Sequence, residues 1–418
     1  MACGDRLGEL DPRPRCDCGG LLDVIHAAPP STGSELRQLL DARRTDFQAP
    51  ASSGVWRFRD LVLPSAGLEV LSHPEGNTPL LERESISHWA KVARLVLKHE
   101  GHNPTGSFKD RGMTVGITQA RRIDPRAVAC ASTGNTAASL AAYAAQAAIP
   151  CLVLVPQGQI AGGKLAQALA YGATTLLVRD GFDRCLALID QAAAELGVYL
   201  LNSINPFRIE GQKTIVFELL QQLAWSPPDW LVVPAGNLGN TAAFGKALEE
   251  AIAWGLIERR PRIASVQAEG AAPFAQSFRD GFATRHEVVP DTIASAIRIG
   301  NPASYDRAVR AIRDTDGVVT TVSDEEILEA KAVIDVAGIG CEPASAASVA
   351  GVRRLVRDGV IGFDQRVVAV LTGHILKDPE LLLAYHQTSE PVPPKANRPI
   401  EIDGDLGQLA RVLQRLET

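Results

Sequence analysis

The chain has 418 residues, of which 46% are hydrophobic, enough to bury a large core and to form about two domains. Its 48 acidic and 42 basic side chains leave a formal net charge of −6 without a long basic run, which argues against nucleic acid or an anionic membrane as the main partner. We therefore expect a globular protein that acts on a small molecule.

The amino end, the apolar runs and the cysteines all favour a cytoplasmic chain. The first twenty residues carry charges, prolines and glycines without the apolar core of a secretory signal. The most apolar stretch, 137–154, is interrupted by Pro150, so we expect a packed helix followed by a strand and no membrane span. An odd number of cysteines in a large chain favours reduced thiols. They are Cys3, Cys16, Cys18, Cys130, Cys151, Cys185 and Cys341.

Apolar runs of strand length alternate with helical patterns along the middle of the chain. This alternation predicts crossover units and a largely parallel sheet, so the expected fold class is α/β. The predicted strands are 93–97, 127–131, 151–155, 174–178, 198–201, 230–233, 262–267 and 366–371. The predicted helices are 113–120, 136–147, 163–171, 182–196, 208–224, one beginning near 242, 324–336 and 344–357.

Proline- and glycine-rich edges at 50–54 and 390–399 set off the two ends of the chain. We interpret the first fifty residues as an appendage and the last thirty as a surface tail that ends in a short helix. The helix has leucines at helical spacing, a pattern typical of docking against a core or a partner rather than of chemistry. These are Leu406, Leu409, Leu413 and Leu416.

One lysine follows a glycine-bearing polar turn at the junction of the strand 93–97 and the helix 113–120. The run is NPTGSFKDRG at 103–112, and the lysine is Lys109. Such junctions line ligand crevices in α/β proteins. A lysine amine condenses with aldehydes, and partial desolvation lowers its pKa enough to make it nucleophilic. We interpret Lys109 as a candidate for carbonyl chemistry; the alternative is a solvated lysine at a helix start.

Two further turns join a strand to a helix and carry polar side chains. ASTGNTA at 131–137 offers four polar side chains beside the amides of a helix start, which suits a substrate carboxylate. PAGNLGNT at 234–241 offers glycines and free N–H groups that favour phosphate, without a P-loop or dinucleotide fingerprint. Helix caps in the first turn and an ordinary glycine turn in the second are the structural alternatives.

A late threonine, Thr372, stands at the end of the strand 366–371 in the run LTGH. It suits a ring nitrogen as a hydrogen-bond partner, although a lone hydroxyl at a strand end is commonly a capping group. Taken together, the lysine, the two turns and the late threonine resemble the pyridoxal-phosphate enzymes of fold type II. The resemblance is strongest to the threonine synthases.

The resemblance extends through most of the chain. Several specific motifs in one order are hard to obtain by chance. The resemblance implies a two-domain fold similar to tryptophan synthase β, with mostly parallel sheets and helices on both faces, and pyridoxal 5′-phosphate as cofactor. The additional motifs are SGVWRF at 53–58, EGNTPL at 75–80, KHE at 98–100, VPQG at 155–158, NSINPFRIEGQKT at 202–214, AIRIGNP at 296–302, CEPASAA at 341–347 and KDP at 377–379.

The resemblance also implies roles for single residues toward the cofactor. Lys109 would hold the cofactor as a covalent imine with Phe108 beside it, and Asn135 would hydrogen-bond the ring hydroxyl. Thr372 would face the pyridine nitrogen as a neutral partner, which does not hold that nitrogen protonated as a carboxylate would. The cofactor phosphate is assigned to Gly236, Asn237, Leu238, Gly239 and Asn240.

Substrate contacts carry over in the same way. Arg208 suits the duty of binding the substrate phosphate, because a planar guanidinium clamps phosphate oxygens through two parallel hydrogen bonds. The alternative is an arginine in a surface ion pair. The turn for the substrate carboxylate is Ser132, Thr133, Asn135 and Thr136, and the pocket for the substrate phosphate is Ser203, Arg208 and Asn237, with Asn202 beside them.

The activity that the resemblance implies is the conversion of O-phospho-L-homoserine and water into L-threonine and phosphate. Lys109 would move protons at the substrate α and β carbons, the γ-phosphate would leave, and water would add at the β carbon. The expelled phosphate, retained by Arg208 and Ser203, would help to activate the water.

Two other functions stay open. One is that of a specialised relative that performs β- or γ-replacement on another phosphorylated amino acid, for instance with sulfite as in cysteate synthesis. The other is that of a catalytically silent, cofactor-binding regulatory protein, against which the intact Lys109 and Arg208 argue. The first gains weight from Ile375 and Gln159, which stand where the family usually has glycine and often has lysine.

In the first fifty residues, Cys3, Cys16 and Cys18 with the following glycines resemble the remnant of a zinc ribbon. Only the distant His26 adds a fourth ligand, so we expect no metal. The resemblance also makes a homodimer in the cytoplasm the expected assembly. The predicted domain limits are 1–50 for the appendage, 51–110 with 205–390 for a large cofactor-binding domain, 111–204 for a small mobile domain and 391–418 for the tail.

Overall fold

The computed structural model describes residues 3–158, 162–179, 181–388, 391–393 and 395–416. The contacts within the chain divide it into two compact units, Met1–Asp378 and Pro379–Thr418. Gln159, one of the two departures from the family pattern, lies outside the described residues. Within the described ranges, no helix is long and apolar enough to cross a lipid bilayer.

Ten described strands form two sheets. The larger sheet has the order β1-β2-β10-β7-β8-β9, and the smaller has the order β5-β4-β3-β6. Among these strands only β1 and β2 are antiparallel, so the predicted α/β class with mostly parallel sheets is confirmed. The strands are β1 Leu80–Glu82, β2 Leu95–His99, β3 Ala127–Ala131, β4 Cys151–Pro156, β5 Thr174–Val178, β6 Val198–Leu200, β7 Trp230–Pro234, β8 Arg262–Ala268, β9 Val318–Val322 and β10 Val367–Leu371.

Most connections between the strands contain helices, as parallel pairing requires. Both sheets belong to the unit Met1–Asp378, and so do the first fourteen described helices. They are α1 Gly33–Arg44, α2 Arg59–Val62, α3 Glu84–Ala90, α4 Lys109–Ile123, α5 Asn135–Ala147, α6 Gly162–Ala170, α7 Gly181–Glu195, α8 Pro206–Gln212, α9 Thr214–Gln222, α10 Gly239–Ala253, α11 Pro273–Arg279, α12 Tyr305–Asp314, α13 Asp324–Val336 and α14 Pro343–Arg357.

Both faces of each sheet are covered. Along β7, Leu231 and Val233 join one hydrophobic cluster, while Trp230 and Val232 join another on the opposite face. The residues of β3 are divided in the same way between two further clusters. Successive side chains of a strand point to opposite faces, so a strand buried on both sides lacks polar alternation. This burial explains why these strands read as continuous apolar runs in the sequence.

The amino-terminal helix α1 packs into the core of the larger sheet. Leu36 and Leu40 are fully buried in the same cluster as Phe58, Phe217 and Trp254. The ring of Phe217 lies 5.9 Å from that of Phe58 and 6.3 Å from that of Trp254, measured between centroids. Aromatic rings at such distances add to the burial energy of the core. The domain limits inferred from the sequence stay a prediction.

The single helix predicted at 208–224 is wrong, because the structure divides it at Lys213 into α8 and α9. The side chain of Asn205 caps α8 by accepting the amide of Phe207 at 3.0 Å, which starts the helix before Arg208. The hydroxyl of Thr214 donates to the carbonyl of Gly211 at 2.6 Å. This bond occupies the carbonyl oxygen of Gly211, which would accept a backbone amide in a continuous helix.

The unit Pro379–Thr418 contains two helices, α15 Pro379–Gln387 and α16 Leu406–Leu416. The predicted helix at the end of the chain is therefore present. Its four evenly spaced leucines are exposed, which leaves an apolar stripe along α16.

Candidate active site

The polar turns predicted from the sequence lie at the carboxyl ends of parallel strands. In the larger sheet, Lys109 follows β2, the loop 236–240 follows β7 and Thr372 follows β10, and these three strands are neighbours. In the smaller sheet, the turn 132–136 follows β3, and Asn202 follows β6, which pairs with β3. The carboxyl ends of parallel strands form the crevice in which α/β proteins bind ligands.

The loop before Lys109 is hydrogen-bonded to the end of β10. The amide of Phe108 donates to the carbonyl of Thr372 at 3.1 Å, and Ser107 forms an isolated antiparallel bridge with Gly373. The helix predicted at 113–120 begins earlier, with Lys109 as the first residue of α4. These bonds bring Lys109 and Thr372 together, although 263 residues separate them in the chain.

Lys109 is a half-buried lysine whose amine is weakly basic. Burial and, to a smaller extent, the Arg208 cation lower its pKa to about 7, against the Glu342 carboxylate, which raises it. The Nζ atom lies 4.3 Å from the centre of the Phe108 ring. At neutral pH about half of the amine is therefore unprotonated and able to attack a carbonyl group.

Two glycines allow helices α4 and α8 to approach until their backbones touch. A Cβ atom on Gly211 would lie 1.8 Å from the carbonyl oxygen of Arg111, and one on Gly112 would lie 3.0 Å from that of Arg208. Only glycine permits such an approach. The contact sets Arg208 on α8 against the first turn of α4, which carries Lys109.

Arg208 is 1% exposed, and most of its hydrogen-bond donors are unused. Nη1 donates to the carbonyl of Leu201 at 3.2 Å, whereas Nε and Nη2 have no partner among the described residues. Burial lowers the pKa of Arg208 to about 10. A buried cation with free donors is costly unless a ligand supplies acceptors. The arrangement therefore fits a bound anion beside Lys109.

The loop 236–240 presents the start of α10, which begins at Gly239 rather than near residue 242. No described side chain caps this helix, and Leu238 before it has a φ of +63°. A Cβ atom on Gly236 would lie 3.0 Å from the Cα of Ile297, so the segment 296–302 leaves no room there for a larger residue. Uncapped amides at the positive end of a helix fit a phosphate group.

Asn237 and Asn240 differ in their surroundings. The side-chain oxygen of Asn237 accepts the amide of Ala303 at 3.3 Å, and its carbonyl accepts the amide of Ser304 at 3.1 Å. Asn237 therefore ties the loop to the segment that follows residue 302. The buried Oδ1 of Asn240 has no partner among the described residues, so it is available to a ligand.

The turn predicted to hold a carboxylate begins α5. Asn135 and Thr136 are the first two residues of this helix, and no described side chain caps it. Ser132 Oγ accepts the amide of Gly134 at 3.1 Å, and Thr133 is half-buried next to it. Free amides at this helix start fit the carboxylate role.

Asn202 and Ser203 lie in the turn between β6 and α8. Asn202 Oδ1 accepts the amide of Ile204 at 3.2 Å, and Ser203 is half-buried. The turn leads directly into the helix that carries Arg208. The binding roles of these two residues stay predictions.

Glu342 is a residue of this region to which the sequence assigns no role. It is fully buried, and its carboxylate accepts the amide of Asn135 at 3.0 Å and the hydroxyl of Thr372 at 3.4 Å. Ser345 adds a second contact to Thr372, with 3.0 Å between the two hydroxyl oxygens. An acidic residue among small and apolar neighbours, directly before a proline at a helix start, is the signal that the sequence offers.

Ile375, the second departure from the family pattern, packs against Gly340. Its Cδ1 lies 3.0 Å from the position of a Cβ atom on Gly340, whose φ is +72°. The side chain thus fills space beside the loop that precedes Glu342. An effect of Ile375 on substrate choice stays a prediction.

The three cysteines of the amino end lie close together. Their sulfur atoms are within 4.8 Å of one another, with 3.4 Å between Cys3 and Cys16. His26, the fourth ligand considered from the sequence, instead contacts the carboxylate of Glu210 on α8 at 2.5 Å. Of the four ligands considered from the sequence, the structure therefore groups the three cysteines, while His26 pairs with Glu210.

Three features of the site fit pyridoxal phosphate. The first is a lysine amine with a pKa near neutrality, and the second is an uncapped helix start for the cofactor phosphate. The third is the set of buried polar atoms without partners in the described structure, Asn135 Oδ1 and Asn240 Oδ1 among them. Buried polar atoms without partners are rare in folded proteins and mark places that a ligand completes.

Comparisons with known proteins agree with this site. A family model described as pyridoxal-phosphate dependent enzyme matches residues 71–373. The threonine synthase of Methanocaldococcus jannaschii is 43% identical over 406 residues, covering 96% of this chain and 95% of that protein. The threonine synthase of Methanosarcina acetivorans is 47% identical over 368 residues, covering 88% of each chain.

A solved structure extends the likeness to three dimensions. Threonine synthase from Escherichia coli matches with a TM-score of 0.70 at 20% identity, covering 98% of this chain and 96% of that chain. At this level of identity the match supports the fold alone, which is that of fold type II. The family model and the two relatives show that the chain belongs to the pyridoxal-phosphate-dependent enzymes and, among them, to the threonine synthases.

Proposed function

We propose that this chain converts O-phospho-L-homoserine and water into L-threonine and phosphate, with the cofactor attached at Lys109. The observation that carries the proposal is Arg208, a buried arginine with two unpartnered nitrogens that acts electrostatically on Lys109. An anionic group on the substrate would satisfy this cation. The curated relatives named threonine synthase support the same reaction.

When bound, pyridoxal phosphate supplies an electron-withdrawing ring that stabilises negative charge on the substrate carbons near the amino group. Lys109 removes one proton from the substrate α carbon and one from the β carbon. It returns a proton to the γ carbon after the phosphate leaves, which forms the methyl group of threonine, and a proton to the α carbon after water has added. A pKa of about 7 suits both duties, because such an amine accepts and donates protons readily at neutral pH.

The other residues hold the two ends of the substrate. The start of α5, with Ser132, Thr133 and Thr136, binds the carboxylate. Arg208 and Ser203 bind the γ-phosphate, with Asn202 and Asn237 beside them, and Arg208 retains the phosphate after it leaves. Water then adds at the β carbon, which gives L-threonine and phosphate. The retained phosphate would help to activate this water.

We expect the rate of covalent cofactor attachment to apoenzyme to rise with pH, with a midpoint near 7. Attachment needs the neutral amine, and burial holds the pKa of Lys109 at about 7 instead of 10.5. The measurement is the rise of the visible absorbance of bound cofactor after mixing, from pH 5.5 to 9. A midpoint above pH 9 would show that Lys109 is an ordinary solvated lysine.

Substituting Arg208 by methionine tests the phosphate pocket. We expect kcat/KM for phosphohomoserine to fall by about a hundredfold, because hydrogen bonds to a charged group are lost. Inhibition by inorganic phosphate should weaken in parallel, whereas L-homoserine should bind as before. Arg122→Met, at a half-buried ion pair with Glu9, is the control and should change none of these values. Unchanged phosphate inhibition in Arg208→Met would remove the proposed pocket.

The assembly and compartment that accompany this proposal are a homodimer and the cytoplasm. All seven cysteines are free thiols, which supports a reducing compartment. The exposed leucines of α16 supply an apolar surface of the kind that subunit contacts use. Light scattering of the purified holoenzyme measures the assembly directly, and a monomer at micromolar concentration would contradict it.

A further inference from the structure

Glu342 lies between the two sheets at the reaction centre. It directly precedes α14, beside the end of β10 in the larger sheet, while its partner Asn135 begins α5 at the smaller sheet. The distances from Asn135 Nδ2 to the two carboxylate oxygens are 3.0 and 3.3 Å. The backbone amide of Glu342 also donates to the carbonyl of Gly373 at 3.1 Å, so its place is fixed from the β10 side.

The carboxylate determines which way the amide of Asn135 points. An ionised carboxylate only accepts hydrogen bonds, so the nitrogen of the amide must face Glu342. The amide oxygen then faces away, and this buried Oδ1 has no partner among the described residues. Asn135 therefore offers an acceptor to a hydroxyl or amine donor of the bound cofactor or substrate.

The space around Glu342 is shaped for this carboxylate. A Cβ atom on Gly373 would lie 2.4 Å from the carboxyl carbon of Glu342, so glycine is required there. The two side chains that bond the carboxylate, Asn135 and Thr372, are both neutral. A fully buried carboxylate bonded by neutral side chains is expensive to keep charged unless a cation lies near. The loop that carries Lys109 lies beside this carboxylate: Phe108 and Ser107 bond the backbone of Thr372 and Gly373, and Glu342 bonds the same two residues. Lys109 in its ammonium form is the cation that interacts with Glu342 from this loop.

We propose that Glu342 is a positioning residue of the reaction centre: it orients the Asn135 amide and provides the negative charge that balances the ammonium form of Lys109. The inference rests on the proposed role of Lys109 as cofactor anchor and proton carrier. Two charged groups from different elements thus act on the Lys109 amine with opposite signs, Arg208 from α8 and Glu342 from the turn before α14. Among the described residues, Asn135 and Thr372 hydrogen-bond the Glu342 carboxylate, and the titratable groups of Lys109 and Cys341 interact with it electrostatically.

The test uses Glu342→Gln, which keeps the shape and one acceptor but removes the charge. We expect the pH midpoint of covalent cofactor attachment to fall by about one unit, because the ammonium form of Lys109 loses its anion. Arg208→Met should move the same midpoint upward. Shifts of the pH midpoint in opposite directions identify a charge effect, since general damage to the site would shift the midpoint of both variants in the same direction. Glu329→Gln, at a surface ion pair with Arg353, is the control and should move nothing.

Turnover provides the second readout. In Glu342→Gln we expect kcat to fall at least about tenfold while KM changes less than about threefold, since the proposed substrate contacts other than Asn135 do not involve Glu342. An unchanged or raised midpoint together with normal kcat would overturn the inference. If phosphohomoserine is not turned over but the midpoints shift as expected, the inference stands and the proposed reaction fails.

A double-mutant cycle keeps the inference testable if Glu342→Gln does not fold. Glu342→Asp retains the charge but withdraws it from Asn135 by one methylene. We expect Glu342→Asp and Asn135→Ala to lower kcat by similar factors, and the double variant to be no slower than Asn135→Ala. Multiplicative losses would show that Glu342 does not act through Asn135 and would overturn that part of the inference.

Discussion

Replacing Lys109 by alanine should abolish covalent cofactor binding and lower turnover by at least about a thousandfold, because the anchor and the proton carrier are the same amine. The half-buried amine, with its pKa lowered by burial to about 7, is the group in the site suited to both tasks. The measurement combines reduction of holoenzyme with borohydride, mass analysis of the trapped cofactor and a phosphate-release assay.

Lys91→Asn is the matched control for this variant. Lys91 is an exposed lysine with a left-handed backbone, a conformation that asparagine tolerates, so the change removes a surface amine without strain. It should leave cofactor trapping and turnover unchanged. Trapping of the cofactor on another lysine in Lys109→Ala, with turnover retained, would contradict the assignment.

The second large effect concerns a buried ion network directly behind the lysine loop. Glu218 on α9 is fully buried and lies 2.5 Å from Lys98 Nζ, 2.9 Å from Arg111 Nη2 and 3.0 Å from Arg57 Nη2. Glu100 holds the other side of Arg111, with 2.7 Å to its Nε. Arg111 is two residues beyond Lys109, so this network fixes the first turn of α4.

Substituting Glu218 by glutamine should lower the free energy of unfolding by about 3–5 kcal/mol, because three buried cations would then share one anion. Burial by itself would raise the pKa of Glu218, but Arg111, Lys98 and Arg57 hold it well below its usual range. The measurement is urea unfolding of apoenzyme followed by fluorescence and circular dichroism. Glu329→Gln at the exposed pair with Arg353 should cost under about 1 kcal/mol.

The loss of stability in Glu218→Gln should depend on pH through the charge of Lys98. Burial lowers the pKa of Lys98 to about 8, whereas the unfolded chain titrates near 10.5. Losing Glu218 removes an influence that raises this pKa, so Lys98 in the variant becomes neutral at lower pH. The stability difference between wild type and variant should therefore shrink as the pH rises from 6 toward 8. A difference that grows over this range would contradict the placement of Lys98 beside Glu218.

The sequence predicted eight of the ten described strands and missed β1 and β9, which are only partly buried. Strands such as β3 at Ala127–Ala131 and β7 at Trp230–Pro234 are covered on both faces, so they are apolar throughout and turn residues mark both of their ends. Candidate site residues were also predicted at strand ends, and Lys109 and Thr372 each follow the end of a parallel strand in the structure. The resemblance to fold type II anticipated that these two residues meet.

Other features depend on contacts that no local pattern shows. Glu218 pairs with Lys98, 120 residues away, and Glu342 bonds Asn135, 207 residues away. Position 211 must be glycine because the backbone of α4 lies against it, not because the chain turns there. Long-range packing sets all three.

The central claim is the substrate, and a product assay with purified holoenzyme tests it most directly. O-phospho-L-homoserine in water and O-phospho-L-serine with sulfite are supplied at equal concentration, and both phosphate and amino acid products are quantified. We expect equimolar L-threonine and phosphate from phosphohomoserine, at least about a hundredfold faster than any release from phosphoserine. Cysteate formation from phosphoserine without threonine from phosphohomoserine would contradict it.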